Sequence, residues 1–160
     1  MSEILFRGQT RRLGEKVWMN GEKVPSNWVY GGICLGKGAF SIIYDYMDEE
    51  GEKPIEKHVV YTDTVGQYTG LTDKNGKKIF EGDIVHLTDV RYDNEWKAVV
   101  VFGNPYGEYS WGWNFLYIGE KPKVATDILL WAEMDDVEVY CEIIGNIYDN
   151  PELLKEVEGE

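Results

Sequence analysis

The chain has 160 residues, 43% of them hydrophobic and 14% aromatic, enough for a real core and too apolar for global disorder. Its 16 Lys and Arg face 29 Asp and Glu, a net charge of −13. A surface that acidic repels phosphate backbones, whose binding rests on cations that release counterions, so direct nucleic-acid binding is disfavoured. Such a charge can suit basic protein surfaces, including those that normally hold DNA, but its simpler role is to keep the protein soluble. Cys34 and Cys141 form no CxxC or Cys/His cluster, and two histidines leave no zinc framework. No 18-residue apolar run exists to span a membrane, and the opening MSEILFRGQTRR lacks the apolar core of a signal peptide. These features predict a cytoplasmic protein with reduced thiols, no metal and no cofactor.

Taken in order, the chain reads as short strands divided by Gly, Asn and Asp turns, the pattern of an antiparallel β protein. Residues 4–7 make a first strand, and Asn20-Gly21 signals a turn. Strands follow at 28–35 and 40–46, with Gly36-Lys37-Gly38 as a hairpin tip between them. Residues 48–57, DEEGEKPIEK, hold one apolar side chain and read as an acidic loop or linker. It separates N-terminal strands in residues 1–47 from a core in residues 58–160.

Residues 59–61 resume strand, Asp73-Lys74-Asn75-Gly76 turns the chain, and 84–88 and 96–102 are further strands. Tyr109, Trp111, Trp113, Phe115 and Tyr117 then occupy every second position, which puts them on one face of a strand. Thr126 or Asp127 is placed to cap a helix over 128–134. Residues 137–147 form the last strand, and Asn150 with Pro151 starts a short helix over 151–157. The predicted fold is mostly β: a small SH3-like barrel or a strongly bent antiparallel sheet, with added N-terminal strands and one or two short helices.

Three blocks carry a family resemblance. Residues 3–8, EILFRG, residues 64–85, TVGQYTGLTDKNGKKIFEGDIV, and residues 143–154, IIGNIYDNPELL, together resemble the YopX family in the right order. A Pro-Glu common in the family before TVGQ is replaced here by Thr62-Asp63. The resemblance implies a mostly β protein of phages or prophages of low-GC Gram-positive bacteria. It carries no catalytic residues over. Physically, Gly66 and Gly70 in the central block permit backbone conformations closed to other residues. Ile79-Phe80 plugs the core, and Gly82-Asp83 reverses the chain.

Candidate chemistry is sparse. Residues 35–44, LGKGAFSIIY, resemble a kinase glycine-rich loop, but no VAIK-type lysine, HRD or DFG accompanies it. The acidic group Asp45, Asp48, Glu49, Glu50 and Glu52 lacks calcium-loop spacing and reads as a solvated linker. His58 and His86 are the only imidazoles, both read as ordinary strand residues. Cys141 and Cys34 both read as buried apolar side chains. Tyr106, Tyr109, Trp111 and Trp113 are the candidate interaction residues, with Phe115 and Tyr117 assigned to the core. The leading expectation is a non-enzymatic module that binds a host or phage protein. An acidic DNA mimic acting on a host nucleic-acid enzyme is the alternative. An undescribed enzyme is the second, and it requires His58 or His86 to be gathered with carboxylates. Exposed sheet edges leave a homo-oligomer open.

Overall fold

The computed structural model describes residues 4–12, 14–19, 22–45, 56–103, 112–119, 125–127 and 139–155. The protein is mostly antiparallel β and divides into two compact units, Met1–Tyr68 and Thr69–Glu160. Its described helical segments are single 3-10 turns, at Thr62–Thr64, Val90–Tyr92 and Pro151–Leu154.

The first unit contains β1 (Phe6–Gln9), β2 (Lys16–Met19), β3 (Glu22–Pro25), β4 (Trp28–Cys34), β5 (Phe40–Asp45) and β6 (Glu56–Tyr61). It ends inside β7 (Gly66–Thr72). β2 and β3 form a separate hairpin. The other strands run in the order β6-β5-β4-β1-β7. Alternation along β4 to β6 decides the inside: Val29, Ile43 and Val60 are fully buried, and with Val17 from β2 they make the core. Gly8 lies where a Cβ would press on the Val60 side chain at 2.8 Å, so β1 needs its glycine to approach. The sheet bends until Thr10, just past β1, forms a lone bridge with Val60 of β6. The described strands form antiparallel sheets and no closed barrel, and this bend lies among the strands of the first unit.

The second unit starts in the latter half of β7, which borders β8 (Lys78–Phe80). A five-stranded sheet follows in the order β12-β11-β10-β9-β13. Its strands are β9 (Asp83–Asp89), β10 (Asn94–Phe102), β11 (Trp113–Tyr117), β12 (Ala125–Asp127) and β13 (Val139–Asn146). β9 is central, paired with both β10 and β13. Ile79, Val85, Leu87, Ala98, Val100 and Phe115 form its core, with Trp113, Tyr117 and Cys141 packed at the margin. The central signature is thus a packing device. Ile79 and Phe80 are buried, and Asp83 turns its carboxylate back to accept from the Phe80 N–H at 2.8 Å. Gly70, Gly76 and Gly82 take positive φ, whereas Gly66 lies in ordinary strand.

Several expectations are corrected. Thr126 and Asp127 lie in β12, and the helix expected over 128–134 falls outside the described residues. The C-terminal segment is a 3-10 turn in place of a longer helix. Asn150 does not cap it, because its Oδ1 faces back to accept from the Asn146 N–H at 3.2 Å. Cys34 is exposed, since it ends β4 on the outer face opposite Ile42. Asp45 is 4% exposed and belongs to β5, so it is no part of a solvated linker. β2 and β3 were not expected as strands: their residues carry too little apolar alternation for the period to show.

Candidate functional site

The inner face of the β5-β6 pair changes chemistry along its length. Ser41, Ile43 and Asp45 point inward from β5, and Val60, His58 and Glu56 from β6. The register sets Ser41 opposite Val60, Ile43 opposite His58, and Asp45 opposite Glu56. The apolar core therefore ends in a polar cluster made by three directly neighbouring side chains. One ligand-type atom from each of Asp45, Glu56 and His58 lies within 4.8 Å of the other two.

A fourth residue completes the arrangement. Glu15, just before β2, is held by a backbone hydrogen bond from the Ser26 N–H to its carbonyl oxygen at 2.7 Å. Its Oε1 lies 2.9 Å from His58 Nδ1, so the carboxylate accepts from the Nδ1–H. That contact orients the ring so that Nε2 lies on the side of Glu56, whose Oε2 is 3.6 Å away. His58 is 3% exposed, and among the described residues its Nε2 has no hydrogen-bond partner. A buried imidazole atom in that state is costly and asks for a partner.

The opposite face of the same strands is apolar and open. Cys34, Ile42 and Val59 form one cross-strand row, and Phe40 and Tyr61 form the next. Phe40, Val59 and Tyr61 are 42%, 40% and 38% exposed. The Phe40 and Tyr61 rings meet with centroids 5.6 Å apart. Cations frame the patch: Arg11 lies 5.3 Å from the Phe40 ring, and Lys57 lies 5.8 Å from the Tyr44 ring.

In the second unit, Trp113 sits at the end of the core face of β11 and meets exposed Phe102 edge-on at 5.1 Å. Phe115 is buried and Tyr117 half-buried on that same face. Tyr106, Tyr109 and Trp111 lie outside the described residues. The base of their segment is well fixed. The Gly103 N–H bonds the Gly112 carbonyl at 2.6 Å, and buried Asn114 donates through Nδ2 to the Gly103 carbonyl at 2.8 Å. His86 faces away from Val85 and Leu87, between Lys97 and Glu142, with Nε2 3.9 Å from Glu95 Oε1. His58 is thus the imidazole gathered with carboxylates.

Another buried carboxylate is structural. Asp73 Oδ1 accepts from the Asn75 and Lys77 N–H groups, each at 2.9 Å, and Oδ2 from the Ile143 N–H at 3.0 Å. Burial pushes its carboxyl up, but the hydrogen bonds from Ile143, Lys77 and Asn75 outweigh that and hold it below its ordinary value. Nearby Cys141 is pushed up to about 12, by burial first and then by the charges of Asp73 and Asp83.

Sequence reasoning singles out His58, and Asp45 only as part of an acidic linker, but neither Glu56 nor Glu15. The available signal was Glu56-x-His58, two polar residues on one strand face, beside an Asp45 that breaks the inward series of Ser41 and Ile43. Glu15 is distant in sequence, and nothing in the chain announces it.

Fold and site together define a two-unit antiparallel β protein with an open apolar sheet face and a buried histidine–carboxylate cluster behind it. More particularly, the chain belongs to the YopX protein family, which matches residues 29–155. No curated protein matches the chain. Among the described residues, no helix is long and apolar enough to cross a membrane.

Proposed function

We propose that this YopX-family chain is a phage- or prophage-encoded accessory protein that binds another protein in the host cytoplasm and catalyses no reaction. The observation that carries the reading is the open outer face of β4 to β6. Exposed aromatic side chains beside an arginine are typical of interface centres, where a few large anchors supply most of the affinity. Isolated exposed apolar residues need no explanation, but here they are cross-strand neighbours. His58 supports the non-enzymatic side: a general base must reach its substrate, and this ring is 3% exposed.

The test is capture from nuclease-treated host lysate by the wild-type chain and by a Val59→Lys/Tyr61→Ala variant. Both positions are exposed, so the fold is expected to survive, as circular dichroism would verify. Wild type should retain a stoichiometric partner that the variant loses. Retention of nothing, or equal retention by both, would overturn the proposal.

One further observation favours the acidic-mimic reading as a second possibility. Met1–Tyr68 holds 8 Lys and Arg against 10 Asp and Glu, while Thr69–Glu160 holds 8 against 19. The second unit thus carries −11 of the −13. A basic DNA-holding partner would bind it with an affinity that falls steeply with salt and is competed by duplex DNA. Insensitivity to both would dismiss the mimic.

A further inference from the structure

We propose that His58, Asp45 and Glu56 form a binding site for one divalent transition-metal ion, with Glu15 as the residue that orients the imidazole. The inference is independent of the apolar face and goes beyond the protein-binding reading. Three observations converge on it.

First, the donor set is right. One imidazole nitrogen and two carboxylates suit borderline zinc, or manganese, a harder ion that still accepts an imidazole, whereas magnesium and calcium prefer oxygen alone. Second, the spacing is right. Ligand atoms around such an ion stand about 3–4 Å apart at metal–ligand distances of about 2.1 Å. His58 Nε2 and Glu56 Oε2 already stand 3.6 Å apart, and all three donors fall within 4.8 Å.

Third, and decisive, is the state of His58. Nε2 is buried, has no hydrogen-bond partner among the described residues and stands 3.6 Å from Glu56 Oε2. On its far side Nδ1–H donates to Glu15. A carboxylate behind a histidine whose other nitrogen is free to ligate is the arrangement that fixes metal-binding imidazoles and raises their basicity. Glu56, 22% exposed, leaves a route to solvent for the ion and for a completing water.

The test uses the full chain, treated with EDTA and dialysed, then titrated calorimetrically with zinc, manganese and magnesium chlorides. Manganese is also followed by the loss of its free-ion paramagnetic resonance signal. One equivalent of zinc and of manganese is expected to bind, both well ahead of magnesium. Glu56→Gln and His58→Gln should each weaken binding by about tenfold or more, and Glu15→Gln by about tenfold. His86→Gln and Cys34→Ser should change nothing. Should His58→Gln fail to fold, Glu56→Gln at its more exposed position decides the matter. Absence of saturable binding, or unchanged affinity in a folded Glu56→Gln chain, would overturn the site. So would loss of binding on His86→Gln or Cys34→Ser.

Discussion

Removing the Asp73 carboxylate probes how the turn between β7 and β8 is fastened to β13. Three N–H groups converge on it, from Asn75, Lys77 and Ile143. The Lys74 N–H bonds the Cys141 carbonyl alongside, at 2.9 Å. In Asp73→Ala, Asn75 and Lys77 sit in an exposed turn and regain water, so their loss costs about 0.5–1 kcal/mol each. Ile143 is half-buried in β13, and its stranded N–H costs about 1–2 kcal/mol more. The total is about 2–4 kcal/mol. Asp73→Asn keeps one carbonyl oxygen for the turn but faces an amide toward Ile143, and should cost about half as much. Urea unfolding followed by tryptophan fluorescence reads the difference, since Trp96 and Trp113 pack on this unit's core. A loss below about 1 kcal/mol for the alanine variant, or a larger loss for asparagine than for alanine, would refute this account.

The same carboxyl gives a pH prediction. Its folded pKa lies below the ordinary 3.8, so its stabilisation is complete above that value and disappears as pH falls through the folded pKa. Acid unfolding of Asp73→Asn should therefore show a shallower loss below about pH 4 than wild type; parallel acid limbs would contradict it. Gly31→Ala should destabilise the first unit by about 3 kcal/mol, because a Cβ there collides with the Tyr44 backbone carbonyl oxygen. A variant with unchanged thermal unfolding would disprove that contact. Phe115→Ala should cost about 3–5 kcal/mol, as Phe115 is 1% exposed in the second core; denaturant midpoints report it. Of the two thiols, exposed Cys34 should label rapidly with an aromatic disulfide reagent at pH 8. Cys141, with its pKa near 12, should label only on unfolding. Equal rates would be the adverse result.

The strands that the sequence made legible share one property: an unbroken alternation of apolar and polar residues or a β-branched run. Residues 28–35, 40–46, 84–88 and 96–102 each announce a strand found within a residue or two. β7 was harder, because Gly66 and Gly70 read as loop punctuation while the first is plain strand. Cys34 reads as buried because its strand is apolar along its length, whereas β4 has one outer face. The cluster around His58 was hidden for a different reason. Its members pair by cross-strand register and by the approach of Glu15, over 43 positions in sequence, and both are settled only when the sheet bends. Local patterns report which way a side chain points, not which distant side chain it meets.

β7 has a consequence for anyone wishing to take the protein apart. It is seven residues long, and the division between the units falls after its third, Tyr68. Gly66 and Gln67 pair with β1, while the latter half borders β8. A gene cut at the boundary would leave each product a stub shorter than strands usually need, with raw edges on both. Two viable halves would have to overlap: the first would run on to Thr72 and the second would start again at Gly66. The strand is a shared seam, and it has to be copied to be divided.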